Sequence, residues 1–167
     1  NESGVGRALH RALASGAVRR EELFVTTKVW PSDYSSDAGE LRAAVSRSLH
    51  RLGLDAVDLL LLHWPPPGAS GVTLEGLWAA LGELREEGLC TCVGVSNFDE
   101  ARLEALHPPP AVNQCEAHPG FHNAELVEGT GRLGVHFTAH SPLGGAGAPA
   151  ASLPGVVAAA AAAGERA

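Results

Sequence analysis

Five short apolar runs in this sequence each end on side chains that can do chemistry: Lys28, His63, the pair Ser96 and Asn97, Gln114 with Glu116, and Ser141. Lys28 is the one lysine beside eleven arginines. A position that keeps an ammonium where the chain otherwise writes guanidinium calls for a cation with a tunable pKa, which arginine does not offer. Its plainer role is a surface lysine at a strand end. His63 sits between Leu62 and Trp64, ahead of Pro65. An isolated histidine there is commonly structural, but sharing a rim with Lys28 gives it a part in proton transfer or in hydrogen bonding to a reacting oxygen. Ser96, Asn97, Asn113 and Gln114 can each cap a helix or end a strand, and Asp99 is itself a plausible cap for the helix that follows. His118 and His122 stand four apart, but Pro119 and Gly120 break the turn that would aim both imidazoles at one metal. No metal site is expected.

The elements that must position these groups follow from hydrophobic periodicity. Val5, Leu9 and Leu13 predict a helix, and Leu23 to Thr27 a strand ending at Lys28. Asp37 with Glu40 makes an approximate capping box for a second helix carrying Leu41, Val45, Leu49 and Leu52, stopped by Gly53 before the strand Val57 to Leu62. Leu74 to Leu84 predicts a helix closed by Gly88, then a strand from Thr91 to Val95. A short helix from Ala101 to Leu106, a strand from Ala111 to Cys115, a helix near Asn123 to Arg132 and a strand from Val135 to Ala139 complete the pattern. Near-continuous apolar strands alternating with amphipathic helices need both sheet faces covered, which indicates a parallel α/β fold. The strand ends, and the polar residues on them, should then converge on one rim, the ligand face of such folds. Beyond Leu143 the chain turns to Gly, Ala and Pro, and the Ala-rich stretch from Val156 to Ala163 reads equally as helix or disordered tail.

Composition narrows the function. The 167 residues suit one domain and carry a net charge of −7 without a block of Lys or Arg, so nucleic acid is not an expected partner. No apolar run approaches the ~20 residues of a membrane helix, and the opening Asn1-Glu2-Ser3-Gly4 lacks the features of a secretion signal. Three cysteines without framework spacing, Cys90, Cys92 and Cys115, fit a reducing compartment, so a cytoplasmic location is expected. Neither GxGxxG after a strand nor GxxxxGK[ST] occurs, so a bound nucleotide would have to be held by the rim.

The blocks Asn1-Glu2-Ser3-Gly4-Val5-Gly6, Glu22 to Trp30, Val57 to Pro65, Gly94 to Phe98, Val112 to Pro119 and His140 to Gly144 resemble, in order and spacing, those of the aldo-keto reductases. The likeness covers roughly residues 1–145. It implies a (β/α)8 barrel, here incomplete with about five of its eight strands, followed by a Gly/Ala/Pro-rich tail or partial helix at 146–167. It also implies reduction of aldehydes or ketones to alcohols with NADPH or NADH as hydride donor. By the resemblance, Lys28 and His63 match the catalytic lysine and histidine. Ser96, Asn97 and Gln114 match the residues that hold the nicotinamide carboxamide, and Ser141, Leu143 and Gly144 match the loop near the pyrophosphate. Trp30 and Trp64 match the aromatic walls of the substrate pocket, the alternative for both being core packing.

Three departures qualify the match. The family's proton-donating tyrosine lies two residues before its Asn-Glu, and the lysine's aspartate partner five residues before that, so neither falls within this sequence. The chain also has no methionine with which to begin, and the family's last strand and the basic segment that binds the 2′-phosphate of NADPH fall outside it at the other end, so it is expected to be a partial record, truncated at both ends. The single tyrosine, Tyr34, lies in a Ser- and Asp-rich loop where a solvated surface role is expected. His140 stands where the family stacks a tyrosine on the nicotinamide. These departures leave open a non-catalytic, cofactor-sensing relative or a degenerate fragment, and setting the resemblance aside leaves a Schiff-base enzyme using Lys28 as nucleophile.

Overall fold

Among the described residues, five short runs pair into one parallel sheet, in the order of the sequence. They are β1 (Thr26–Val29), β2 (Val57–Leu62), β3 (Cys90–Ser96), β4 (Val112–Glu116) and β5 (His136–His140). The structure, a computed structural model, describes residues 1–68, 71–145 and 149–165. The expected break at 146–167 begins on residues 146–148, which lie outside the described residues, as do 166 and 167. Among the described residues, six α-helices accompany the strands: α1 (Glu2–Ala14), α2 (Ala38–Leu52), α3 (Leu74–Glu86), α4 (Glu100–Glu104), α5 (Ala124–Arg132) and α6 (Pro154–Ala163).

The α/β class expected from the sequence is the one observed, and every strand follows its predicted run to within a few residues. The largest shift is at β1, which begins at Thr26 and carries Lys28 inside the strand rather than after it. Arg20–Glu22 form a 3-10 turn, and the Val25 N–H donates to the Asp58 carboxylate at 2.7 Å instead of starting a ladder. Asp58 also pairs with Arg20 at 2.8 Å, latching β1 to β2 at the end of the sheet opposite the polar rim.

The core lies between the sheet and helices α2 and α3, where Leu41, Val45, Leu60, Leu62, Leu77 and Leu81 are buried. In β2 the apolar residues on both faces are covered, as a parallel sheet requires. Asp37 caps α2 by accepting from the Glu40 N–H at 3.0 Å, and Gly53 ends it in the left-handed conformation. The predicted capping box is only half present, because the Glu40 carboxylate accepts from the Ser35 hydroxyl rather than from the Asp37 backbone. Helix α1 crosses α2 closely enough that a β-carbon on Gly6 would lie 2.3 Å from the Arg51 carbonyl oxygen.

The Ala-rich stretch is helical as α6, begun by Pro154 at its first turn and closed by Gly164 with φ 75°. No residue of α6 is buried, so alanine's propensity rather than packing accounts for it. Strands β1 and β5 each pair on one side among the described residues, leaving two open edges.

Candidate functional site

Lys28 stands in β1 in register with Leu61 of β2, half-buried, and its ammonium makes no hydrogen bond or ion pair among the described residues. Burial alone therefore acts on it and lowers its pKa from the usual lysine value. His63 follows β2 directly, and its N–H donates to the Val29 carbonyl at 3.1 Å, which continues the β1–β2 ladder by one rung and fixes the residue beside Lys28. Burial, then the Lys28 charge, then His140 hold its imidazole below the ordinary histidine range, so it is neutral at physiological pH.

Two indoles frame this imidazole. Trp30 meets its ring edge-on with centroids 4.5 Å apart, and Trp64 lies parallel to it at 6.4 Å. At 53% and 46% exposure neither tryptophan is a core residue. Lys28, Trp30 and His63 line a cleft of about 730 Å³ with Glu2, Thr27 and Asp33. Burial would raise the Glu2 carboxyl, but hydrogen bonds from Thr27 and Arg51 outweigh it and hold the pKa below the usual carboxylate value. Those contacts, at 2.6 and 2.7 Å, tie the start of α1 to β1 and α2 along the cleft.

The end of β3 is a wired polar shelf. Ser96 is fully buried, and its hydroxyl donates to the Gln114 carbonyl at 2.6 Å. Asn97 adopts a left-handed conformation with φ 64° and donates through Nδ2 to the His63 carbonyl at 2.9 Å and to Ser96 Oγ at 3.1 Å. Its Oδ1 faces His140 Nε2 at 3.3 Å, and His140 Nδ1 lies 3.2 Å from Ser141 Oγ. The Gln114 side chain, half-buried on β4, makes no hydrogen bond among the described residues. Asn113 is buried and structural, since its amide clamps the Phe98 backbone. Ser141 and Gly144 both have positive φ and close a turn in which the Gly144 N–H donates to the Ser141 carbonyl at 2.8 Å, leaving Leu143 exposed.

All the expected residues therefore lie at the same end of the sheet. Lys28, His63, Trp30 and Trp64 form one group, while Ser96, Asn97, His140 and Ser141 form a second that is tied to His63 through Asn97. Gln114 joins the second group through its carbonyl, and Leu143 and Gly144 through the chain.

Tyr34 corrects the sequence reading. It is buried rather than solvated, with its hydroxyl donating to the Trp64 carbonyl at 2.6 Å and accepting from the Trp64 N–H at 3.1 Å. Burial pushes its pKa up to about 12, against partial opposition from these backbone contacts. Local composition concealed this: the loop is polar, but the 3-10 turn Pro31–Asp33 folds the ring inward onto the segment that carries His63. Sequence alone offered no signal for this contact, which spans 30 positions.

The chain also resembles known proteins in sequence and in fold. Residues 1–153 match the model of the aldo/keto reductase family. An aldo-keto reductase of Mycolicibacterium vanbaalenii is 44% identical over 150 residues, covering 86% of this chain and 50% of that protein. The D-galacturonate reductase of Hypocrea jecorina is 37% identical over 181 residues, covering 94% of this chain and 57% of its own length. The crystal structure of a Bombyx mori aldo-keto reductase in complex with NADP superposes with a TM-score of 0.85 at 32% identity, over 99% of this chain and 59% of that one. The chain spans about half the length of the curated relatives it matches.

Proposed function

Because this chain belongs to the aldo/keto reductase family, we propose that it forms the lysine and histidine half of an NADPH-dependent carbonyl reductase site. The observation that carries this reading is a half-buried ammonium, without a partner among the described residues, on one strand end beside a neutral imidazole on the next, both opening into a cleft lined by the Trp30 indole. When bound, the nicotinamide supplies hydride to a carbonyl carbon. His63, neutral and hydrogen-bond competent, orients the carbonyl oxygen and donates to it as negative charge develops. Lys28 lowers the pKa of the group that delivers the proton. Tyr34 is not that group, because its hydroxyl is engaged by Trp64 and its pKa is pushed the wrong way. If the resemblance holds for the full-length protein, the donor would be a tyrosine two residues ahead of Asn1.

The residues at the rim suit a nicotinamide carboxamide. Gln114 offers an amide with no hydrogen-bond partner among the described residues, and Asn97 Oδ1 retains a lone pair beyond the one facing His140. The turn at Ser141, Leu143 and Gly144 lies beside this shelf, where the pyrophosphate would follow. Trp30 and Trp64 wall the site for an apolar aldehyde or ketone.

The test is NADPH oxidation by the full-length protein carrying this chain, against a panel of aromatic and aliphatic aldehydes and ketones. Turnover that falls at least a hundredfold in both Lys28→Met and His63→Leu, with NADPH affinity kept within a few-fold, is expected from their proton-transfer and oxyanion roles. NADPH binding without turnover of any carbonyl in the panel would turn the reading toward a cofactor-sensing protein. Borohydride trapping of a carbonyl compound on Lys28 would turn it toward Schiff-base chemistry.

A further inference from the structure

The hydrogen bonds around Asn97 have a direction that fixes more than their distances show. The His63 carbonyl can only accept, so the Asn97 group 2.9 Å from it is the NH2. The other NH2 hydrogen is engaged by Ser96 Oγ at 3.1 Å, and Ser96 in turn spends its own proton on the Gln114 carbonyl. Rotating the amide by 180° would set Oδ1 against the His63 carbonyl, two acceptors face to face. Asn97 Oδ1 must therefore point at His140, and the His140 nitrogen 3.3 Å away must be the one that carries hydrogen. In that tautomer the Ser141 hydroxyl donates to Nδ1 of the ring at 3.2 Å.

We propose that His140 is a positioning residue: as the Nε2–H tautomer it locks the Asn97 amide, and through Asn97 it ties the carboxamide shelf to the backbone of His63. This rests on the proposed nicotinamide site for its consequence but not for its geometry. The lock leaves Oδ1 a second lone pair, which suits a ligand group that donates a hydrogen bond, such as an amide N–H. It also makes the ring's value at this position its N–H as well as its flat face.

Two measurements separate these roles in the full-length protein. Long-range proton–nitrogen NMR of the wild type at alkaline pH should show the Nε2–H tautomer of His140; an Nδ1–H tautomer overturns the proposal without recourse to any variant. NADPH affinity, read by fluorescence, then compares His140→Phe, which keeps an aromatic face and loses the donor, with His140→Gln, which keeps a donor and loses the ring. The lock predicts that Phe weakens binding about three- to tenfold, the scale of one net hydrogen bond, while Gln stays within about twofold of the wild type by restoring the N–H to Asn97. The reverse order, Phe tight and Gln weak, means the ring acts by stacking alone and overturns the proposal. Nε2–H in a wild type that binds no NADPH would uphold the lock and overturn the reading of the shelf as a nicotinamide site.

Discussion

Replacing Tyr34 with Phe removes one oxygen and tests whether the loop after β2 is held as described. The phenol oxygen both donates to the Trp64 carbonyl and accepts from the Trp64 N–H. Its loss strands two partly buried backbone groups while leaving the ring's packing in place. Orphaning such groups costs about 1–3 kcal/mol, which at a slope of about 2 kcal/mol per M lowers the urea midpoint by roughly 0.5–1.5 M. A second effect depends on pH. The folded-state pKa of Tyr34 is about 12, above the ordinary tyrosine value, so the unfolded chain releases this proton first as pH rises. The associated stability is fully present below about pH 10 and is lost progressively toward pH 12, by at most about 2–3 kcal/mol. Cys90, pushed up to about 11, and Lys28 change charge in or near this window but do so in both proteins. Urea titrations of wild type and Tyr34→Phe at pH 7.5, 10 and 11.5, followed by indole fluorescence, should therefore converge as the pH rises. Midpoints equal at pH 7.5, or a gap constant to pH 11.5, would refute the anchoring role.

Two further substitutions read the backbone of the shelf. A β-carbon on Gly94 of β3 would lie 2.6 Å from the Val112 carbonyl oxygen and 2.8 Å from Leu61 Cδ2, so Gly94→Ala should cost about 1–3 kcal/mol through displacement of β4, seen as a lower urea midpoint; an unchanged midpoint would show that the strands part freely. Asn97→Gly relieves the left-handed backbone but removes the amide's three contacts. A net loss of about 1–2 kcal/mol in thermal or urea unfolding is expected, whereas a gain would mean that backbone strain dominates at this position.

The alternation of strands and helices was legible because its cause is local. Runs such as Val57–Leu62 between amphipathic segments permit little but a strand covered on both faces. The rim was legible for the same reason, since placing Lys28, His63, Asn97 and Gln114 near strand ends places them together once the strands are parallel. What was not legible depends on contacts between distant positions. The polar loop around Tyr34 reads as solvated, and only the folded chain shows its hydroxyl bound to the Trp64 backbone. The start of β1 was misread because Asp58, far along the chain, takes the Val25 N–H that a ladder would use. His140 could be singled out as an unusual residue, but its tautomer follows from a hydrogen-bond chain running through three strand ends.

Lys28 carries the sharpest conflict between stability and function. Its ammonium is half-buried without a partner among the described residues, and its charge also opposes protonation of His63. Folding lowers the Lys28 pKa below its unfolded value, so the cost is present at neutral pH and is relieved only as pH rises through the folded toward the unfolded pKa. A chain selected for stability alone would place an apolar side chain here, next to Leu61 and between Thr27 and Val29. Lys28→Met should therefore raise neutral-pH stability by about 0.5–1 kcal/mol, the scale on which relief of functional strain stabilises a fold, and should shrink that gain at alkaline pH. The same substitution should move the His63 titration, followed by its imidazole proton shifts, upward toward the ordinary histidine range. The two readouts check each other, since a stability gain with an unmoved His63 would mean that Lys28 points away from the site. A His63 shift with a stability loss would mean that the ammonium has a partner the geometry does not account for.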